Sequence, residues 1–371
     1  MIIIKRKYIP TDASVIRAIA LAKGIGETGE KVRLVFLMPN NGLSYDNSLE
    51  NVSIEYIGEN SKIKNKVFGL VASLIKLNSS FQKEEVVILM SFIFPVFFFL
   101  AMNSKIQLYH ERTEYPPFIF GKRFWGKLEE FLYIQIIKKT KGVFVISNKL
   151  KTYFIENGIE RQNVHTINMI VDHTRFNPCP NQHESDYIAY CGTIDNNKDG
   201  VDDLLRAFAI FNRIYPNMRL YLLGRTPHKK DLDVNNQIIQ ENQLSSKVYM
   251  PGLVLAQDIP RYLTNAKLLI LARPNNIQAA YGFPTKLGEY LLTGNPVVVT
   301  RVGELDCFLK DKESCIFAEA NNPRDIASKM LWVIDHSEKA TIIGRNGRNV
   351  ALKSFNYQTE AEKILRSICQ R

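Results

Sequence analysis

The stretch YGFPTKLGEYLLTGNPVVVT, residues 281–300, joins a turn, a helix and a strand, and it indicates the fold class. Pro284 suits the start of a helix, because that position needs no backbone N–H and the ring already holds a helical φ. Gly294 followed by Asn295 and Pro296 predicts the end of the helix, and the apolar run after them predicts a buried strand. We therefore predict a helix of about ten residues leading into a sheet that is covered on both faces.

That helix has two different faces. The apolar face, which we assign to the core, holds Leu287, Tyr290 and Leu291. The other face carries Lys286 and Glu289 behind the turn at Gly282. Unpaired N–H groups at a helix N-terminus attract anions such as phosphate, and glycine lets a ligand approach the backbone closely. The alternative is an ordinary exposed Lys–Glu pair, and the stretch alone leaves both interpretations open.

Strand-like and helix-length segments alternate along the chain, and the alternation restarts after a polar stretch at 177–186. This pattern predicts an α/β fold with two parallel sheets. The strand-like segments are 1–7, 31–39, 52–58, 86–90, 106–111, 142–147, 187–193, 218–224, 247–252, 266–272 and 297–300. The predicted organisation is an N-terminal domain at 1–176, a linker at 177–186, a C-terminal domain at 187–352, and a final helix at 353–371 that packs back on the first domain.

The composition is that of a globular protein, with 46% hydrophobic and 23% charged residues among 371. The five cysteines form no C-x-x-C pair, and the N-terminal residues show no signal-peptide pattern, so we expect a reducing, cytoplasmic setting. Residues 86–102 are apolar, but Pro95 interrupts them and they fall short of the ~20 residues that a membrane-spanning helix needs. We predict instead a buried strand followed by a helix with Pro95 in its first turn.

The formal charge is +11, and the first 172 residues contribute most of it, with 23 Lys and Arg against 16 Asp and Glu. The densest basic segment, 121–142, holds Lys122, Arg123, Lys127, Lys138, Lys139 and Lys141. Next to it lie the aromatic residues Phe118, Phe120, Phe124 and Trp125. This mixture fits peripheral contact with an anionic membrane, and equally a solvated helix face over buried aromatics. No nucleic-acid-binding motif accompanies the charge, so nucleic acid is not an expected partner.

Read in order, the segments resemble the retaining glycosyltransferases of glycosyltransferase family 4. The resemblance covers nearly the whole chain and includes "IQLYHERTEYP", "INMIVDHTRFNP", "YCGTIDNNKDGVDDLLRAF", "LYLLGRTP", "VYMPGLV" and the opening stretch. It implies the GT-B architecture, in which two Rossmann-like domains with parallel sheets face an interdomain cleft and close over a nucleotide-sugar donor.

In that family a Gly-Arg-…-Glu-Lys-Gly loop after the first strand of the C-terminal domain holds the donor diphosphate. Here Gly192 opens the loop, Thr193 replaces the arginine, and Lys198 keeps the offset of the lysine. Lys286 and Arg273 are candidates for the missing positive charge, which a GT-B enzyme needs because it usually has no metal to stabilise the leaving group. The alternative for all three cations is ordinary solvation at the surface.

The family's E-x7-E motif places one glutamate near the donor sugar and a second on the ribose. Glu289 matches the second, whereas Tyr281 stands in place of the first and offers a hydroxyl without a negative charge. The resemblance also places the base near the Gly252–Leu253 backbone, with Gly224 and Arg225 bordering the pocket. The donor-binding residues that it implies are Gly192, Thr193, Lys198, Gly252, Leu253, Arg273, Gly282, Phe283, Pro284, Thr285, Lys286 and Glu289.

In the first domain, His110 falls where the family often has a histidine facing the donor sugar, at a strand end where open α/β sheets bind ligands. Glu111 and Glu114 are candidates for acceptor contacts, and equally for salt bridges to Lys122 or Arg123. Asp12 is a candidate helix cap and is grouped with the acceptor-binding residues. The predicted catalytic residues are His110, Lys198, Lys286 and Tyr281.

The predicted function is transfer of a sugar from a nucleotide-diphosphate donor to a saccharide or lipid-linked saccharide, with retention, in cell-surface polysaccharide biosynthesis. The substitutions at Thr193 and Tyr281 leave open a donor-binding protein without transferase activity, and a sugar-nucleotide epimerase is a further alternative. No cofactor is expected. The D-x-D at Asp231–Asp233 follows "HKK" in what we predict to be a polar loop, so it is not expected to bind a metal.

Overall fold

The computed structural model describes residues 1–38, 45, 48–57, 66–121, 124–176 and 186–369. The chain forms two compact units, Met1–Ile170 with Tyr357–Arg371, and Val171–Asn356. The sequence places the corresponding boundaries at 176 and 352. The predicted linker at 177–186 lies outside the described residues except for Asp186.

Among its described residues, the first unit contains a seven-stranded parallel sheet in the order β3-β2-β1-β4-β5-β6-β7. The strands are β1 (Ile2–Ile4), β2 (Val32–Phe36), β3 (Val52–Tyr56), β4 (Glu85–Leu89), β5 (Ile106–Arg112), β6 (Gly142–Val145) and β7 (Val164–Thr166). The helices are α1 (Ala13–Gly26), α2 (Lys66–Ser79), α3 (Phe94–Ala101), α4 (Pro116–Phe120), α5 (Gly126–Ile137), α6 (Asn148–Glu156) and the C-terminal α15 (Tyr357–Cys369).

The second unit contains, within the described residues, a six-stranded parallel sheet in the order β10-β9-β8-β11-β12-β13. Its strands are β8 (Tyr187–Cys191), β9 (Arg219–Leu223), β10 (Val248–Gly252), β11 (Leu268–Leu271), β12 (Val297–Thr300) and β13 (Ile316–Ala318). Its helices are α7 (Asn196–Asp199), α8 (Val201–Asn212), α9 (Lys229–Glu241), α10 (Ile259–Thr264), α11 (Ile277–Tyr281), α12 (Thr285–Leu292), α13 (Pro323–Asp335) and α14 (Ser337–Ser354). Both sheets confirm the predicted α/β class.

The central strands are apolar on both faces because helices cover both sides of each sheet. Ile2–Ile4 in β1, Leu268–Leu271 in β11 and Val297–Val299 in β12 are each no more than 1% exposed. These are the continuous hydrophobic runs that distinguish buried parallel strands from the alternating pattern of half-exposed ones.

The apolar segment at 86–102 divides as predicted. Residues 85–89 form β4, and α3 begins at Phe94 with Pro95 in its first turn. In the described part of the chain, no helix is long and apolar enough to cross a membrane.

A buried polar network joins distant segments of the first unit. The guanidinium of Arg17 in α1 pairs with Glu111 in β5 at 2.8 Å, and it donates to the carbonyl of Asn168 at 2.9 Å. The backbone N–H of Asn168 in turn donates to Glu360 of α15 at 2.8 Å. Glu360 is fully buried, and Lys363 pairs with it. The last helix is therefore held against α1 by polar contacts as well as by its apolar face.

We expect Arg17→Met to lower the free energy of unfolding by about 3–5 kcal/mol, because Glu111 would stay buried without its counter-charge. A matched control is Arg206→Met, which removes the surface pairs with Asp202 and Asp203 on α8 and should cost less than ~1 kcal/mol. Urea unfolding followed by circular dichroism measures both. Equal losses of unfolding free energy in the two variants would contradict the conclusion that the buried network contributes more to stability than a surface ion pair.

Candidate functional site

The strand order of the second unit reverses between β8 and β11, and ligands of open α/β sheets bind outside the carboxyl ends of strands at such a point. The backbone following β8 and β9 is packed tightly there. A Cβ added to Gly224, which has φ +147°, would lie 1.9 Å from the carbonyl oxygen of Gly192. The two turns can approach this closely only because residue 224 is glycine.

A cluster of charged side chains lies beside these turns. The Nζ atom of Lys286 is 2.7 Å from Oδ2 of Asp199 and 2.9 Å from the hydroxyl of Tyr190. The guanidinium of Arg273 lies 4.0 Å from Oδ1 of the same carboxylate. A Cβ on Gly192 would be 2.5 Å from Lys286 Nζ. Two cations therefore face one carboxylate next to the turn at Gly192.

The cluster is largely buried, and burial shapes its charges. Burial raises the pKa of the Asp199 carboxyl, but Lys286 and Arg273 more than offset this, so that its pKa lies below the usual value. Burial also lowers the pKa of the Lys286 ammonium, while Asp199 opposes that change through its charge and hydrogen bond. The side chain of Asp199 is 3% exposed and that of Lys286 is 16% exposed. Lys286 is thus the member that is open to a ligand.

Helix α12 positions Lys286 as the sequence indicates. It begins at Thr285, directly after Pro284, and Gly294 beyond its end has the left-handed φ of +77°. The regular helix is eight residues long, somewhat shorter than predicted. The buried hydroxyl of Tyr290 in α12 accepts from the backbone N–H of Cys191 at 2.7 Å and donates to its carbonyl at 3.0 Å. These bonds fix the helix to the end of β8.

Glu289 lies one turn beyond Lys286 and forms an ion pair with Arg175 at 2.5 Å. Arg175 belongs to a short 3-10 turn, His173–Arg175, that Asp172 caps through the backbone N–H of Thr174. Sequence reasoning assigned no role to Arg175. The only signal was its place in "INMIVDHTRFNP", one of the segments that carry the family resemblance.

Known proteins are similar to this chain in sequence and in fold. Residues 185–336 match the family model described as glycosyl transferases group 1. The structure of HepE from Anabaena, determined in complex with UDP and glucose, superposes with a TM-score of 0.77 at 14% identity, covering 100% of this chain and 99% of that one. This chain has the GT-B glycosyltransferase fold.

Curated relatives of this GT-B chain match it over shorter regions. An uncharacterized glycosyltransferase of Methanocaldococcus jannaschii is 26% identical over 141 residues, which cover 35% of this chain and 38% of that protein. Mannosylfructose-phosphate synthase of Agrobacterium fabrum is 24% identical over 226 residues, covering 56% of this chain and 48% of the synthase. The matched regions thus span less than half the length of each of these relatives.

The other predicted donor residues of the GT-B chain lie at several places in the second unit. The side chain of Lys198 is exposed, while its carbonyl accepts from Arg273 Nε at 3.2 Å. Thr193 is exposed, and its carbonyl accepts from the hydroxyl of Tyr190. Leu253 is 64% exposed beyond Gly252, which ends β10. Their contacts with a donor stay predictions.

Around the turn before α12, Tyr281 is the last residue of α11 and is half-buried. Gly282 follows it with an extended backbone. Phe283 is buried against Phe308 and Phe355, so its side chain serves the core of the unit. The turn therefore presents backbone and the Tyr281 side chain, rather than an apolar ring, ahead of Lys286.

In the first unit, His110 is fully buried, and its Nδ1 lies 2.9 Å from the carbonyl oxygen of Leu89. Its ring packs against the ring of Phe97, and the two ring centroids are 4.7 Å apart. Burial, helped by the charge of Arg112, lowers the pKa of His110 to about 3, so the imidazole is neutral. A contact with donor sugar would require this ring to become exposed, and it stays a prediction.

The predicted acceptor residues each have structural partners. Asp12 caps α1 by accepting from the N–H groups of Ser14 and Val15. Glu111 pairs with Arg17. The carbonyl of Glu114 accepts from Arg112 Nε at 3.0 Å. Lys122 and Arg123, the alternative salt-bridge partners, lie outside the described residues.

The D-x-D at 231–233 is not in a loop, and that prediction is wrong. It lies in the first turn of α9, which begins at Lys229. The Asp231 carboxylate is buried and accepts from the backbone N–H of Asn196 at 3.3 Å. Within the described residues, no group of three or more His, Cys, Asp and Glu side chains is arranged to hold a metal ion.

We expect Asp199→Asn to destabilise the protein by about 3–5 kcal/mol, because the buried Arg273 and the partly buried Lys286 would lose their counter-charge. The pH dependence provides a second readout. Since the folded pKa of Asp199 lies below its unfolded value, its stabilisation is fully present above about pH 4 and is lost as the pH falls through the folded pKa.

Thermal unfolding between pH 2 and 7 tests this, with the exposed Asp306→Asn as the matched control. The Asp199→Asn variant should show a smaller acid-induced decrease in melting temperature than either the parent or the control. The same acid dependence in all three proteins would exclude the assigned role of Asp199.

Proposed function

We propose that this protein transfers a sugar from a nucleotide-diphosphate sugar to a saccharide or lipid-linked saccharide with retention of anomeric configuration. The observation that carries this proposal is the placement of Lys286 and Arg273 around Asp199 beneath Gly192, at the point where the strand order reverses. The setting we propose is cell-surface polysaccharide biosynthesis on the cytoplasmic side of the membrane.

The charge cluster suits a diphosphate leaving group. Two cations and one carboxylate leave a net positive charge, and the partly exposed Lys286 can donate to phosphate oxygens without being drawn out of its position. Cations held in place before the reaction stabilise the charge that develops on the departing diphosphate. In this proposal lysine and arginine supply that stabilisation, and no metal is required.

Glu289 provides a candidate contact for the ribose. A carboxylate has lone pairs for several hydrogen bonds, so Glu289 can keep its pair with Arg175 and still accept from ribose hydroxyls. Its side chain is 18% exposed, which leaves an approach for a ligand. We propose that Lys286 and Glu289, on adjacent turns of α12, bind the diphosphate and the ribose of one donor.

The departures from the family pattern support a second candidate, a donor-binding protein without transferase activity. Tyr281 cannot offer a negative charge to an oxocarbenium-like transition state, and Thr193 offers no positive charge to the diphosphate. We propose that the Tyr281 hydroxyl contacts the donor sugar and that Lys286 with Arg273 replaces the missing cation. Binding and turnover must therefore be measured separately.

Binding is tested by the shift in melting temperature with UDP, GDP, ADP and inorganic pyrophosphate. We expect Lys286→Met to weaken both pyrophosphate and the preferred nucleoside diphosphate by about tenfold to a hundredfold, the value of a charged hydrogen bond. Glu289→Ala should weaken only the nucleoside diphosphate, because pyrophosphate has no ribose.

The exposed Lys310→Met and Glu313→Ala serve as matched controls, and Lys286→Arg should retain part of the affinity. Equal effects of Glu289→Ala on pyrophosphate and nucleotide would remove the ribose role. If none of the nucleoside diphosphates raises the melting temperature of the parent protein, the proposed donor site is wrong.

Turnover is tested by incubating the protein with a panel of nucleotide sugars and saccharide acceptors. We expect nucleoside diphosphate release and a product whose anomeric proton, measured by NMR, has the configuration of the donor. Binding without transfer or hydrolysis would favour the donor-binding alternative. A changed sugar in the absence of acceptor would favour a sugar-nucleotide epimerase.

A further inference from the structure

Helix α5 of the first unit exposes apolar side chains where a surface helix normally presents polar ones. Phe124 and Trp125, immediately before the helix, are 93% and 64% exposed, and Leu128 and Phe131 continue the apolar stripe at 49% and 58%. Leu128 and Phe131 are three residues apart and lie on one side of the helix, and Phe124 and Trp125 are in the turn before it. Exposed aromatic residues grouped in this way indicate an interaction surface.

Helix α3 extends this apolar surface. Phe98 within α3 and Met102 directly after it are 50% and 56% exposed. The beginning of α3 and the middle of α5 line a common cavity of about 460 Å³, and Lys139 Nζ, just after α5, lies 3.8 Å from Met102 Sδ. The two helices therefore lie next to each other, and we infer that their exposed apolar side chains form one face.

The cavity continues that face inward. Its lining is mostly apolar, and it consists of Phe92, Ile93, Phe94, Pro95, Glu129 and Leu132. Leu132 is also 38% exposed, so it belongs to both the cavity and the outer face. We refer to the exposed residues Phe98, Met102, Phe124, Trp125, Leu128, Phe131 and Leu132 as the α3–α5 face.

Lysines lie within or close to these two helices. Lys105 follows α3, Lys127 lies in α5, and Lys138 and Lys139 follow α5, all with exposed side chains. On the same helix Glu130 is half-buried and accepts from the hydroxyl of Tyr153. An apolar centre that holds aromatic rings and has a cationic rim matches an anionic bilayer, in which rings sit among the headgroups and lysines meet the lipid phosphates.

We propose that the α3–α5 face docks the protein on the surface of an anionic lipid bilayer. A second copy of this chain is a poorer occupant, because pairing two such faces would bring their lysine rims together. The proposal deepens the suggested use of a lipid-linked acceptor and rests on it for its biological purpose. The docking itself needs neither donor nor acceptor and can be measured without them.

The test is cosedimentation of the full chain with vesicles of phosphatidylcholine alone, or of equal parts phosphatidylcholine and phosphatidylglycerol. We expect binding to the anionic vesicles only, decreasing as salt is raised because screening shortens the range of the lysine charges. Vesicle binding should also shift the fluorescence of Trp125 to shorter wavelength. Equal sedimentation with both vesicle types would overturn the role of charge.

The variant Phe124→Ser/Trp125→Ser should lose at least tenfold in vesicle affinity while keeping the parent melting temperature, since both side chains are exposed. The matched control is Ile214→Ser/Ile342→Ser, which removes two exposed apolar side chains, 60% and 58% exposed, from the second unit. The charge variant Lys138→Gln/Lys139→Gln should weaken binding by roughly fivefold per lysine.

Light scattering distinguishes the competing occupant. A parent protein that is dimeric, does not sediment with anionic vesicles, and becomes monomeric in Phe124→Ser/Trp125→Ser would overturn the proposal and identify the face as a self-interface. If Phe124→Ser/Trp125→Ser loses vesicle binding and keeps the parent affinity for pyrophosphate, membrane docking and donor binding are independent. Failure of either proposal can therefore be recognised separately.

Discussion

The candidate site depends on one buried carboxylate. Asp199 lies between Lys286 and Arg273. These two cations are 87 and 74 residues further along the chain than Asp199. Two cations brought together under a glycine turn would repel each other without that charge. With that charge, both cations are held close to the carboxyl ends of β8 and β11. The strand order reverses between these two strands, and open α/β sheets bind ligands at such a point.

Much of this arrangement could be predicted from the sequence. The alternation of strand and helix patterns predicted both parallel sheets, and the local chemistry of Pro284 and Gly294 located α12 and hence Lys286 and Glu289. Signals of this kind are short-range, since capping, turn formation and hydrophobic period all act within a few residues. For Lys286 and Arg273 the sequence indicated the charge type but not their shared partner.

The features that escaped prediction depend on long-range packing. Asp199 looks like any acidic residue of a polar loop, yet it is buried beside Lys286 of α12 and Arg273, which follows β11. Arg175 pairs with Glu289, which lies 114 residues further along the chain. His110 was expected at an accessible strand end, but rings from α3 and α5 enclose it. For Asp231–Asp233 the polar neighbours suggested a loop, although α9 begins at Lys229 and contains them.

The first unit includes α15, the last helix of the chain, whose Tyr357 hydroxyl donates to Glu27 and whose backbone approaches Gly24 too closely for any larger residue. This has a consequence for synthesis on the ribosome. When the first 170 residues emerge, the surface of α1 that α15 will cover is still open to water. The second unit, which is continuous in sequence, can fold before the first is complete. The surface of α1 can therefore be covered only after α15 has been synthesised.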